Sequence, residues 1–374
     1  MKYLMIFLFK YCLRFLYFFM KLFVKTEKKI VYLSRQSNEK SLDMKMLENE
    51  IKQHFQYKQV FRLRTLDAGL MSGIKYIVGL VGDMYHMAGS QIAICDTYSL
   101  VVSFLHHKKD LTVIQMWHAM GAIKKFGFQS IGLGEGRDER LSRAMHMHEN
   151  YDYVIAPSKE TAYFYKEAFG VKDEQINICS LPHIDYIKDG KTRKNDFLEL
   201  YPQAINKKIV VYVPTFREKE EDIITELKEC FENEENIELF ISLHPYSKVK
   251  EKEKFCIKGD FSTFELIKMA DYVITDYSAC AFEAAILDCP LFFYVPDYEY
   301  YENNRGLNID LYKEMPQYTF GNAKEILGKI NAEIYDKEDL RAFRKKYVEK
   351  TEKCTKELST FIEAIVKRKE YEKN

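Results

Sequence analysis

Ala270-Asp271-Tyr272-Val273-Ile274-Thr275-Asp276-Tyr277-Ser278-Ala279-Cys280-Ala281-Phe282-Glu283-Ala284-Ala285-Ile286 is the stretch that decides the fold. Tyr272, Val273 and Ile274 make a short apolar run with β-branched members, as a buried parallel strand requires. Thr275, Asp276, Tyr277 and Ser278 then crowd hydroxyls and a carboxylate into a turn. Ala281 to Leu287 is good helix material, with Asp276 or Ser278 as the expected N-cap. Strand, polar turn and helix make one βα unit. In open α/β sheets ligands bind at the carboxyl ends of the strands, and a helix N-terminus offers N–H groups and partial positive charge to a phosphate. An ordinary capped βα turn would read the same way, so this stretch sets the fold class and leaves the chemistry open.

The same rhythm extends in both directions. Towards the N-terminus, strands are expected at residues 28–33, Val60 to Leu63, Ile92 to Cys95, Leu111 to Met116 and Asp152 to Ala156. Helices are expected at Leu42 to Phe55 and within Ser72 to Met87, and Ser158 can cap another. A polar boundary follows near residues 188–207. A second series then begins, with strands at Ile209 to Val213, Leu239 to Leu243, Tyr272 to Thr275 and Leu291 to Tyr294. Lys337 to Lys373 reads as one or two charged surface helices. Alternating strands and helices imply parallel sheets covered on both faces. The expected architecture is α/β, with two doubly wound parallel-sheet domains of the GT-B type and a cleft between them. Its divisions are a helix over 1–25, an N-terminal domain over 26–190, and a C-terminal domain with terminal helices over 191–374.

The first segment differs from the rest in charge. Residues 1–25 carry Lys2, Lys10, Arg14, Lys21 and Lys25 and no acid, so the remainder of this neutral chain carries a net −5. On a helix Lys10, Arg14, Lys21 and Lys25 fall within about 60° of one another. The other side is Phe, Leu, Tyr and Met. That pattern suits a helix lying in a membrane interface, its cations on anionic headgroups and its aromatic face in the acyl boundary. Central cations argue against a spanning helix. The alternative is a helix that packs on the protein's own core.

A net charge of zero gives no general attraction to nucleic acid. The eight cysteines form no CxxC pair and sit mostly in apolar runs, which fits a reducing compartment and neither a zinc site nor a disulfide framework. No carboxylate cluster has metal-ligand spacing, so no obligatory metal or other cofactor is expected.

Three further clusters follow expected strands. Trp117-His118-Ala119-Met120-Gly121-Ala122-Ile123-Lys124-Lys125 ends one strand with an imidazole and adds two lysines. A histidine at a strand end can take a proton near neutral pH, although a lone histidine is more often structural. Pro214-Thr215-Phe216-Arg217 brings a guanidinium fork suited to phosphate oxygens, or to an ion pair with Glu218, Glu220 or Glu221. Leu243-His244-Pro245 fixes a second histidine before a proline.

Each cluster is weak alone. In their order they resemble the CDP-glycerol glycerophosphotransferase family of teichoic acid and capsule synthesis, over roughly residues 28–320. Trp117-His118, Pro214 to Arg217, Leu243 to Pro245 and Ile274 to Ser278 match, as does Pro290 to Gly306 with Phe293-Tyr294, Asp297, Glu299-Tyr300-Tyr301 and Arg305-Gly306. The residues after His118 look like the primase branch rather than the Trp-His-Gly-Thr-Pro of polymerases. Ala279 departs from the second serine of many members.

The resemblance implies attack by an acceptor hydroxyl on the glycerol-bearing phosphorus of CDP-glycerol, with release of CMP. It implies His118 as the base, and Arg217, His244, Thr275, Tyr277 and Ser278 as ligands of the donor phosphates. Lys124, Asp276 and Glu283 are further candidates. The acceptor implied is an undecaprenyl-diphosphate-linked disaccharide, met at the cytoplasmic face of the cell membrane by a peripheral protein. A CDP-glycerol or CDP-ribitol polymerase is the alternative within the class, and a non-catalytic membrane-bound nucleotide- or glycan-binding module is the alternative outside it. Homo-oligomerisation stays open.

Overall fold

The computed structural model describes residues 2–65, 70–215, 217, 221–243, 247, 257 and 260–371. The chain divides into two compact units. Met1–Ala119, Phe126–Asp185 and Lys350–Asn374 form the first, and Met120–Lys125 and Tyr186–Glu349 form the second.

The first unit is built on a parallel sheet of six strands: β1 (Lys29–Ser34), β2 (Lys58–Leu63), β3 (Ile92–Cys95), β4 (Thr112–Gln115), β5 (Tyr153–Ala156) and β6 (Ile176–Ile178). Their spatial order is β2-β1-β3-β4-β5-β6. The second unit carries β7 (Lys208–Val213), β8 (Ile237–Ile241), β9 (Tyr272–Thr275), β10 (Leu291–Tyr294) and β11 (Thr319–Phe320), in the order β11-β10-β9-β7-β8. Every pair is parallel. Each sheet therefore reverses its strand order once, between β1 and β3 and between β7 and β9. Such reversals open the crevices where α/β sheets hold ligands. Strands β1, β3, β4, β8 and β10 are buried along their whole length, and β3 and β10 accordingly read as unbroken apolar runs.

The last residues require a correction. The helix Cys354–Tyr371 was expected in the C-terminal domain but belongs to the first unit. It buries Leu358, Ile362, Ile365 and Val366, an apolar stripe at helical spacing, and packs on α2 (Leu42–His54). Its start is held by Asp185, whose carboxylate accepts the N–H groups of Cys354 (3.0 Å) and Thr355 (2.8 Å) and the Thr355 hydroxyl (2.7 Å). A carboxylate there satisfies donors that no helical carbonyl can reach.

The N-terminal helix α1 (Lys2–Phe23) forms, but its cations face the other way from the expectation. Arg14 donates through Nε to the Phe104 carbonyl at 2.6 Å, and Lys21 through Nζ to the His106 carbonyl at 2.6 Å. Lys10 Nζ lies 2.9 Å from His146 Nε2, and Leu13 and Tyr17 are buried beside this row. Lys25 lies beyond the end of the helix and is exposed. The physical reason is at Phe104, the last residue of a short helix whose final carbonyls lack helical donors. The side turned to solvent is apolar: Leu4, Phe7, Leu8, Tyr11, Phe15, Phe18, Phe19 and Leu22 are exposed. α1 packs against α3 (Leu70–Ala88), which exposes Ile74, Ile77, Val78, Val81 and Tyr85.

Replacing Asp185 by Ala should lower the stability of the full chain by about 1–2 kcal/mol, the usual worth of a helix cap. Urea unfolding monitored by circular dichroism checks this. An unchanged midpoint would show that the Cys354–Tyr371 helix holds its place without the carboxylate.

Candidate functional site

In the second unit, polar side chains gather where β7 and β9 end, at the sheet's reversal. Asp276 follows β9 and is fully buried. Both of its oxygens lie 2.9 Å from the Thr215 backbone N–H, and one accepts the Arg217 guanidinium at 2.8 Å. The other arm of Arg217 lies 3.4 Å from Asp297. The guanidinium sits 5.2 Å from the ring of Tyr277 and 5.7 Å from that of Tyr301, and the two rings stack at 3.9 Å. Tyr277 also donates its hydroxyl to Asp297 at 3.1 Å. Burial works against the Arg217 charge, but Asp276, Tyr212 and Asp297 outweigh it and its pKa is raised. A fixed guanidinium of this kind is pre-organised for a phosphate, because its side-chain entropy is already spent.

Lys124 joins the same group. The segment Met120–Lys125 belongs to the second unit and pairs there, with an antiparallel bridge between Lys124 and Leu307. Lys125 donates its N–H to Gly306 at 2.9 Å, and Asn308 donates to Ile123 at 2.8 Å. The Lys124 amine lies 3.4 Å from the Thr215 hydroxyl. Burial pushes its pKa down to about 8, against the pull of Asp276 and with the help of Arg305 and Arg217. An arriving anion reverses that balance, since a negative charge favours the protonated amine.

Several expected donors have other work. Asp276 does not cap the following helix, Cys280–Ile286; the N-cap position is Ala279, with no side-chain cap. A buried carboxylate gains more from a backbone N–H and a guanidinium than from a helix end. The Thr275 hydroxyl is buried and commits its proton to the Val213 carbonyl at 2.7 Å, across the β7–β9 pair. Tyr277 is also buried, and its part is to hold Asp297 and Arg217. Ser278 Oγ accepts the Cys280 N–H at 3.4 Å. Glu283 is 4% exposed inside the helix, and together with burial its charge raises the Cys280 thiol to about 12. His244 lies outside the described residues. Asp297, Tyr301 and Arg305 had no role in the sequence reading; only their place in the Pro290 to Gly306 stretch pointed to them.

In the first unit, His118 is exposed just beyond β4. Its Nδ1 lies 2.8 Å from the Asp96 carbonyl. A carbonyl only accepts, so Nδ1 carries the proton and the lone pair of the neutral ring is on Nε2. The backbone beside it is constrained. Trp117 takes a φ of 61°, which costs about 1–2 kcal/mol for a residue with a Cβ. Its indole stacks on Phe126 at 4.9 Å and meets Phe169 edge-on at 5.2 Å. Gln115 accepts the Trp117 N–H at 2.9 Å and donates to the Thr97 carbonyl at 3.2 Å, tying the turn to the loop after β3. The buried Asp96 carboxyl is pushed up to about 7 by burial and by Asp43, in spite of hydrogen bonds from Ser34 and Thr97. Among the described residues no group of three or more His, Cys, Asp or Glu is arranged to hold a metal ion.

The sequence profile of a family described as CDP-Glycerol:Poly(glycerophosphate) glycerophosphotransferase matches residues 16–358. A teichoic acid glycerol-phosphate primase of Bacillus subtilis (strain 168) is 34% identical over 246 residues, 62% of this chain and 62% of that protein. A teichoic acid ribitol-phosphate primase of Bacillus spizizenii is 29% identical over 293 residues, 74% of this chain and 75% of that one. A solved structure of a variant of the wall teichoic acid polymerase TagF, soaked with CDPG, superimposes with a TM-score of 0.69 over 96% of this chain and 93% of that one. At 18% identity the last likeness is one of fold: two parallel-sheet α/β domains, as the strand rhythm implied.

Proposed function

The chain belongs to the CDP-glycerol:poly(glycerophosphate) glycerophosphotransferase family, and from that premise we propose that it transfers glycerol phosphate from CDP-glycerol to a hydroxyl of an undecaprenyl-diphosphate-linked disaccharide. The observation that carries this reading is the fixed cation group of Arg217 and Lys124 at the reversal point of the second sheet. In the reaction the acceptor oxygen bonds to the glycerol-bearing phosphorus. The bond from that phosphorus to the bridging oxygen breaks, and CMP departs with the electron pair. The acceptor proton passes to Nε2 of His118, the nitrogen left basic by the Asp96 carbonyl. Lys124 and Arg217 take the charge that gathers on the phosphates and on the leaving CMP. Asp276 and Asp297 hold the guanidinium, and the Tyr277–Tyr301 stack walls it.

The named primases among its relatives support addition of a single unit. One of them uses ribitol in its name, so CDP-ribitol is the donor to compare. The setting is the cytoplasmic face of the cell membrane. There the outward apolar side of α1 would enter the acyl boundary while its cations brace the helix on the protein.

Three outcomes test this. His118→Ala should leave CDP-glycerol affinity unchanged and lower turnover by roughly 10²–10⁴-fold, the usual worth of a positioned base; near-wild-type turnover would remove His118 from the role. The Lys124 amine is protonated below about pH 8 and loses its charge above it. The kcat/KM for the donor should therefore fall above that pH, and Lys124→Arg should carry the fall to higher pH; an identical profile in the variant would clear Lys124. Finally, Phe15→Glu with Leu22→Glu, both on the exposed side of α1, should abolish sedimentation with anionic vesicles and leave the fold intact. Unchanged sedimentation would place the membrane contact elsewhere.

A further inference from the structure

A second set of guanidiniums lies in the first unit, at the carboxyl ends of β1 and β2. Arg35 directly follows β1, Arg62 lies within β2 and Arg64 follows it. Arg62 Nε donates to Asp83 on α3 at 2.8 Å, and Arg64 Nη2 donates to the same carboxylate oxygen. Arg35 has no ion pair among the described residues, and neither its Nε nor Arg64 Nη1 has a hydrogen-bond partner there, although both atoms are buried. The Arg35 and Arg64 guanidiniums lie 5.6 and 5.8 Å from the ring of Tyr76. Arg62 and Arg64 thus share one carboxylate, and Arg35 adds a third permanent cation without one among the described residues.

Helix α3 is shaped to admit them. A Cβ at Gly79 would fall 1.9 Å from Arg64 Nη1, and one at Gly82 would fall 2.5 Å from Arg62 Nη2. Two positions without side chains let the guanidiniums lie against the helix backbone, where Arg62 also donates to the Gly79 carbonyl at 3.2 Å. Clustered cations with unpaired buried N–H groups are costly unless an anion completes them. Paired guanidinium forks match phosphate oxygens in geometry as well as charge. The same helix presents Ile74, Ile77, Val78, Val81 and Tyr85 to solvent. One helix therefore carries an apolar face and braces a cationic cluster, which is the pairing that a phosphate attached to a hydrocarbon tail requires.

We infer that Arg35, Arg64 and Tyr76 form an anion site for the phosphate or diphosphate of a lipid-linked ligand, and that in catalysis this is the diphosphate of the acceptor. The inference rests on the acceptor reading above. Arg35, Arg64 and Tyr76 belong to the first unit, and the cations proposed for the donor belong to the second.

The test uses the full chain and the variants Arg35→Ala and Arg35→Ala/Arg64→Ala. The single variant breaks no ion pair among the described residues, so it guards against a double variant that fails to fold. With a synthetic lipid-diphosphate disaccharide, the acceptor KM should rise about tenfold or more in the single variant and further in the double, a tenfold change being the usual size for one charge-assisted contact. The KM for CDP-glycerol should not move. An unchanged acceptor KM, or equal rises for donor and acceptor, would overturn the assignment. Sedimentation with phosphatidylglycerol vesicles separates the two sources of phosphate: lost sedimentation with an unchanged acceptor KM would assign the cluster to headgroups and overturn its role toward the acceptor. Calorimetry with inorganic pyrophosphate needs no turnover, so it reads the site even if the transferase reading fails. Weaker binding by the variants supports the anion site, and equal binding sinks it.

Discussion

A carboxylate without water must find donors, and Asp276 is the place where the second unit meets that demand. Its oxygens take the backbone N–H of Thr215 and the guanidinium of Arg217, both reached from the strand next to its own. The parallel register that aligns Val213 with Thr275 brings those groups within reach. Removing the carboxylate would leave a buried guanidinium with its longer contact to Asp297 and two aromatic rings, an imbalance worth several kcal/mol. The aromatic stack, the Asp297 contact and the position of Lys124 above Thr215 are all arranged around this one interaction. The ion pair adds little net stability by itself, because both partners gave up water. Its effect is to fix where positive charge stands.

The first unit solves a different problem, which is to present an imidazole in one tautomer at an exposed strand end. The Asp96 carbonyl selects the proton's position, and Gln115 stitches the two loops that carry Asp96 and His118. The left-handed Trp117 is affordable because its indole is packed among Phe126, Phe169 and His148. Strain in the backbone and packing of the side chain are thus two halves of one device.

Much of this was legible beforehand because buried parallel strands announce themselves. Ile92 to Cys95 or Ile209 to Val213 have no polar face to confuse the reading. β6 and β11 were missed because three and two residues carry no periodicity. Arg217 and Lys124 were legible as residues, whereas Asp297 and Tyr301 as their neighbours were not, since a contact between distant loops leaves no local pattern. Helical periodicity placed Lys10, Arg14 and Lys21 on one side of α1, whereas Lys25 falls beyond the helix. It could not say which side the protein would claim, because the carbonyls at Phe104 and His106 that bind them are distant in sequence. The same holds for the Cys354–Tyr371 helix, whose amphipathic stripe fits either unit until Asp185 is known to cap it.

That the final helix completes the first unit has a bearing on biosynthesis. A ribosome adds roughly 5–20 residues per second, so residues 186–349 take on the order of ten seconds or more to emerge. Throughout that interval α2 lacks its partner, and the nascent first unit holds an open apolar groove until the last helix arrives to fill it. The intervening lobe can close its own sheet in the meantime. A chaperone or the membrane surface therefore has its longest opportunity at the N-terminal half.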